Sequence, residues 1–231
     1  MQPLTNGESN YMPKLIILGS SGYSKVVIDI VEKQKNCKIA GFVNKDGKEE
    51  DPPQAYPVLG KDSDLPQLIK KHKVTGIVIA IGDNFIRYKV SANIAKLCPN
   101  LEFPPLIHPM AVIAGDVLIG KGTVVMAGAV VNSGSNVGDF CLINTNSSLD
   151  HDNCLGDYAS IAPRVATGGN CNIGTHSSIG IGAVLKHGIT IGEHTVLGAG
   201  SLVLCNIKSH VTAYGSPAVA KTWRVPGDKY L

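Results

Sequence analysis

The chain is 231 residues long, with 21 Lys and Arg against 18 Asp and Glu, a formal charge of +3 and 44% hydrophobic residues. That balance, without any run of basic side chains, makes no case for nucleic acid or a membrane surface as a partner, and it leaves enough apolar material for a core divided between two domains. The pairing of 26 glycines with only 5% aromatics points to an interior filled by small aliphatic side chains, as in a narrow repetitive prism.

Residues 1–12 read as a polar leader without the charged and apolar regions of a signal peptide. Lys14 to Leu18 then forms a short apolar strand, Gly19-Ser20-Ser21-Gly22 a tight loop, and Tyr23 to Gln34 an amphipathic helix. A second strand over Lys38 to Val43 precedes a polar loop with Pro52, Pro53 and Pro57. A helix near Leu65 to His72, a strand over Gly76 to Ile81 and a helix near Phe85 to Leu97 follow. This alternation predicts a small parallel βαβαβ domain over residues 13–105, closed by a linker containing Pro99, Pro104, Pro105 and Pro109.

The Gly19 to Gly22 loop is not GxGxxG, and Asn44 stands where a carboxylate would grip an NAD ribose, which argues against a dehydrogenase. A loop between strand and helix still offers backbone N–H groups and the positive end of a helix dipole, so a nucleotide-linked phosphate fits without hydride chemistry. A glycine loop serving only a tight turn is the plainer alternative.

From Ile107 onward every sixth residue is aliphatic, through Ile113, Ile119, Val125 and onward to Val203, with Thr167 the single exception in seventeen positions. Four residues after each come mostly small side chains, among them Thr123, Ala129, Ser135, Cys141, Ser147, Ala159, Cys171 and Ser177. Both columns must point inward. A period of six held in phase predicts a left-handed parallel β-helix of triangular coils over residues 106–220, with 221–231 as a tail. Gly120, Gly138, Gly156 and their equivalents follow the aliphatic position, where the chain is expected to turn a corner. A rod or an ice-binding surface is the non-catalytic alternative, but the outward positions are irregular rather than a Thr array.

Apart from the inward columns one segment stands out, Leu149-Asp150-His151-Asp152-Asn153, with His151 two residues past an inward aliphatic and so projecting outward between carboxylates. An imidazole beside a carboxylate has its basicity raised and its proton position fixed, which suits a general base near neutral pH; a solvated surface histidine is the alternative. Gly169 lies eighteen residues on and so stacks directly below His151, leaving space and a bare amide for the oxyanion of an acyl transfer. His187 shares that face two coils away and is the rival base, while His176 and His194 fall at corners, where turn-stabilising or solvated roles are expected. No Ser or Cys lies in a GxSxG elbow, which favours direct attack by the acceptor. The six cysteines, Cys37, Cys98, Cys141, Cys154, Cys171 and Cys205, lack metal spacing, so free thiols and no metal are expected.

Gly-x-x-Gly-Tyr-Ser-Lys-Val-Val in front, Ala80-Ile81-Gly82-Asp83-Asn84, Ile107-His108-Pro109 and Asn144-Thr145 ahead of Asp150-His151-Asp152 together give the chain a family likeness. It resembles the hexapeptide-repeat sugar acetyltransferases, which include the nucleotide-linked 4-aminosugar N-acetyltransferases of bacillosamine and perosamine synthesis and the sialic acid O-acetyltransferases. The likeness runs from about Lys14 to Tyr214-Gly215-Ser216-Pro217-Ala218. It implies that His151 is the base and Asp152 its partner, and that a nucleotide amino sugar lies against Ser21, Gly22, Tyr23, Asn44, Lys45 and Gly82. It also implies acetyl-CoA between neighbouring subunits near Ser160, Gly169, Ile181 and Ala199. The flat faces of the triangular coils, and a cofactor cleft that otherwise lacks a second wall, predict a homotrimer; a polar start and no stretch of eighteen apolar residues predict a cytoplasmic protein. The expected reaction is N-acetylation of a UDP-linked 4-amino-4,6-dideoxy sugar, with O-acetylation of a sialic acid as the alternative. Tyr23 and Ser160 each replace a common His of the family, and Asn44-Lys45 replaces its acidic pair.

Overall fold

The computed structural model describes residues 12–19, 22–48 and 56–230. Its first body is a four-stranded parallel sheet in the order β3-β2-β1-β4, made of β1 (Lys14–Leu18), β2 (Lys38–Asn44), β3 (Val58–Lys61) and β4 (Gly76–Ile79). Leu15, Ile16, Ile17 and Leu18 are all buried, because β1 sits inside the sheet and is covered on both sides. The helices are α1 (Gly22–Gln34), α2 (Leu65–His72) and α3 (Asn84–Leu97).

The largest differences from the sequence reading are at β3 and at the end of β4. The edge strand β3 was expected as loop; only a few residues long, with Gly60 inside and Pro57 just before, it carries little pattern. Pro52 and Pro53 lie outside the described residues. β4 stops at Ile79 rather than Ile81, since α3 starts early: the Asp83 side chain caps it by accepting from the Ile86 N–H at 2.8 Å.

The second body is a left-handed parallel β-helix. Two-residue strands, β5 to β21, recur every six residues from Leu106–Ile107 to Leu202–Val203 and stack into three parallel faces with partners eighteen residues apart. The first face contains the strands at 106, 124, 142, 160, 178 and 196, the second those at 112 to 202, and the third those at 118 to 190. The inward aliphatic and small columns form one continuous core, from Val125 through Ile143, Ile161 and Ile179 to Val203. In the corners from Gly122 to Gly200 the left-handed residue is not the one after the aliphatic position but the residue two further on, such as Phe140, Asn146, Asp152 or Tyr158. The earlier glycines are needed for close stacking instead: a Cβ on Gly156 would lie 2.6 Å from the Thr175 nitrogen of the next coil.

The two bodies meet along the first face. Leu106, Val124, Met126 and Leu142 share one apolar cluster with Val27, Ile28 and Val31 of α1, and Gln34 Nε2 donates to the Ile107 carbonyl at 2.9 Å. The stretch read as a tail is partly strand. β22 (Val211–Gly215) and β23 (Ala218–Trp223) form an antiparallel hairpin on the first face, and the chain then folds back until the Tyr230 hydroxyl accepts from the Asn84 N–H at 3.0 Å. Among the described residues no helix is long and apolar enough to cross a membrane.

Candidate active site

His151 stands on the corner between the second and third faces, half exposed, where the chain leaves the strand Ser148–Leu149. Its Nδ1 lies 2.7 Å from Asp152 Oδ2. That hydrogen bond is the largest influence holding the imidazole above the ordinary histidine range, with the charges of Asp150 and Asp152 adding to it against partial desolvation. Asp150 is oriented separately: its Oδ1 accepts from the His151 backbone N–H at 2.8 Å and from Asn132 Nδ2 at 3.0 Å, and these bonds lower its pKa.

With Nδ1 engaged by a carboxylate, Nε2 is the nitrogen left to take a proton from an acceptor. It points at Gly169 one coil below. The sequence reading expected open space there, but the tip of the imidazole fills it: a Cβ on Gly169 would run into His151 Nε2 and Cε1. Glycine is therefore required so that the ring can lie down on the next coil. The Gly169 N–H makes no hydrogen bond among the described residues, whereas Gly168 N and Asn170 N are both engaged in the ladder, the latter with the His151 carbonyl at 2.9 Å. His187 is on the same corner, its ring centroid 6.4 Å from that of His151.

The other expected cofactor residues do not join this group within one chain. Ile181 and Ala199 stack on the corner between the first and second faces, at the opposite edge of the second face from His151. Ser160 lies on the first face and donates to Ser178 Oγ at 3.1 Å. Among the described residues no group of three His, Cys, Asp or Glu side chains could hold a metal ion.

Gly22, Asn44, Lys45 and Gly82 gather at the carboxyl ends of β1, β2 and β4, the edge where open parallel sheets bind ligands. Ser21 lies outside the described residues. Tyr23 is at the same edge, but its ring packs against the core between the bodies and its hydroxyl is buried without a hydrogen-bond partner, which raises its pKa. Asn44 is held within its own turn, Oδ1 accepting from Gly47 N at 2.7 Å and Nδ2 donating to Lys48 O at 2.8 Å.

The sequence reading missed Arg87. Fully buried, it spends all five N–H donors: Nε on Phe140 O, Nη1 on Ile81 O and Gly82 O, and Nη2 on Asn84 Oδ1 and Tyr158 O, at 2.8 to 3.0 Å. The Gly82 loop is thereby fastened to the β-helix corner that carries Phe140 and Tyr158. The available signal was position: Arg87 falls in register with Asn84, Ser91 and Ile94 on the buried stripe of α3.

Comparisons with known proteins identify the family to which this fold belongs. Residues 14–94 match the PglD N-terminal domain family. The chain is 31% identical over 94 residues to GDP-perosamine N-acetyltransferase of Escherichia coli O157:H7, covering 41% of this chain and 40% of that one. It is 31% identical over 124 residues to UDP-N-acetylbacillosamine N-acetyltransferase of Bacillus subtilis (strain 168), covering 50% and 52%. These matches therefore span about half or less of each curated relative. The crystal structure of PerB from Caulobacter crescentus, in complex with CoA and GDP-perosamine, superposes with a TM-score of 0.85 at 33% identity, covering 92% of this chain and 99% of that one. The chain belongs to the hexapeptide-repeat aminosugar acetyltransferase family.

Proposed function

We propose that this chain transfers the acetyl group of acetyl-CoA to the 4-amine of a nucleotide-linked 4-amino-4,6-dideoxy sugar, with UDP as the carrier. The observation that carries the reading is the line of groups from the Asp152 carboxylate through the His151 imidazole to the unpaired Gly169 N–H. The names of the two curated relatives support the acceptor class.

In this reaction the sugar amine adds to the thioester carbonyl carbon while one of its protons passes to His151 Nε2. The Gly169 N–H donates to the developing oxyanion. Collapse breaks the C–S bond, the proton on His151 goes to the departing sulfur, and an amide and CoA leave. Asp152 stabilises the imidazolium between the two transfers.

Residues 13–105 would hold the nucleotide sugar through Ser21, Gly22, Tyr23, Asn44, Lys45 and Gly82, and residues 106–220 would carry the transfer. Ser160, Gly169, Ile181 and Ala199 are assigned to acetyl-CoA. Since His151 and Ile181 stand at opposite edges of one face, a thioester reaching both needs a second copy, and a homotrimer packed through the second face supplies it. That face offers Val112 and Val184, 62% and 46% exposed, as apolar contacts. We place the enzyme in the cytoplasm, where its two substrates are made. The test is release of CoA thiol, in EDTA, across a panel of UDP-, GDP- and dTDP-linked 4-amino sugars. Release with one of them is expected, and silence across the panel overturns the reading.

A further inference from the structure

The inward column of small residues contains a single amide, Asn153, on the corner that carries His151. Three of its shorter counterparts donate to the carbonyl fifteen residues on: Thr123 Oγ1 to Gly138 O at 2.8 Å, Ser135 Oγ to Asp150 O at 2.9 Å, Ser177 Oγ to Gly192 O at 2.6 Å. Asn153 makes the same bond, Nδ2 to Gly168 O at 3.1 Å, and also reaches back to Asp150 O at 2.6 Å and His151 O at 3.3 Å. One amide nitrogen thus ties together the His151 turn and the residue that precedes Gly169. Three carbonyl oxygens around it fix which end of the amide is nitrogen.

The other end is unsupported. Asn153 is 2% exposed, and its Oδ1 is buried without a partner, a condition that lowers stability and that a Ser, Thr or Cys in the same column does not create. Packing alone would be served by those residues, as it is at Ser135 above and Cys171 below. What the amide adds is control of the spacing between the imidazole and the next coil.

We propose that Asn153 is the positioning residue of this site, holding the His151 turn in register with Gly169 from inside the β-helix. The inference rests on the acetyl transfer proposed above. The test is Asn153→Ser, with Asn153→Cys as a second variant matching Cys141 and Cys171. Both should fold with an unfolding midpoint no lower than wild type, since the orphan oxygen is gone. Their kcat should fall roughly ten- to a hundredfold, the cost of small misplacement at a reacting centre, while KM for acetyl-CoA stays within about twofold. Loosening the turn should also weaken the contact with Asp152, so the NMR titration of the His151 ring should move to lower pH. Wild-type kcat with an unmoved His151 titration overturns the proposal, as does a loss of kcat that only tracks loss of folded protein. If wild type releases no thiol with any amino sugar, acetyl transfer is wrong as the function, and the His151 titration in Asn153→Ser still decides the positioning.

Discussion

His151 and Asp152 are neighbours in the chain, yet their side chains meet at 2.7 Å because the backbone is left-handed at Asp152, with φ 57°. In an extended segment adjacent side chains point to opposite sides. The left-handed residue of the corner swings the carboxylate round beside the imidazole, and Asp is among the few residue types that accept this conformation readily. The β-helix corner thus builds a base and its partner from consecutive residues.

Replacing His151 with Ala should lower kcat by about 10²–10⁴-fold with acetyl-CoA still bound, the usual worth of general-base catalysis. A base acts unprotonated, so the wild-type rate should rise with pH through an ionisation above the ordinary histidine range, because the bond from Asp152 favours the charged ring. Asp152→Asn should move that limb to lower pH and lower kcat by less than His151→Ala does. His187→Ala should do little. A crippled His187→Ala beside a healthy His151→Ala would transfer the role to His187.

Gly169→Ala separates the site from the fold. Its backbone is not left-handed, so alanine brings no conformational strain, and the three atoms nearest the new methyl all belong to the movable His151 ring. The variant should unfold like wild type while kcat falls on the order of tenfold or more as the imidazole is lifted off the coil. Unchanged kcat in Gly169→Ala would mean that the ring works from another position.

Arg87→Met should cost on the order of 3 kcal/mol or more in a denaturant titration, since five buried or part-buried acceptors lose their donor at once. A loss below about 1 kcal/mol would show that water replaces the guanidinium.

The β-helix was legible because its period of six writes both inward columns directly into the sequence, and the outward phase of His151 followed from the same arithmetic. Spacing also placed Gly169 beneath His151. What spacing could not give was the rotamer that lays the imidazole into the gap left by the missing Cβ. Arg87 and Asn153 escaped notice for a related reason: each is a polar residue at a buried position, and its value lies in carbonyls 53, 71 or 15 residues away that only the folded chain brings near. β3 was missed because an edge strand of Val58–Lys61 with an internal glycine has too little alternation to read.

The corner histidines, expected as turn or solvated groups, form a stacked ladder instead. Phe140, Tyr158, His176 and His194 recur at intervals of eighteen, and His210 extends the column. Ring centroids are 5.2 Å apart for Phe140 and Tyr158, 5.0 Å for Tyr158 and His176, and 4.6 Å for His176 and His194. Burial, followed by the proximity of His194 and Arg87, pushes the His176 pKa down from 6.5 to about 4. A folded-state pKa below the unfolded one means that the unfolded chain binds more protons between those values, so stability should fall as pH drops from 6.5 towards about 4. His194 is lowered in the same sense; His151 is raised and works oppositely, but it is solvent-exposed and contributes little. His176→Tyr copies the Tyr158 position in the ladder and removes the titrating group. Its unfolding midpoint should therefore decline less steeply than that of wild type across this window, with the two converging above it. Equal slopes in the two proteins would place the acid sensitivity outside the ladder.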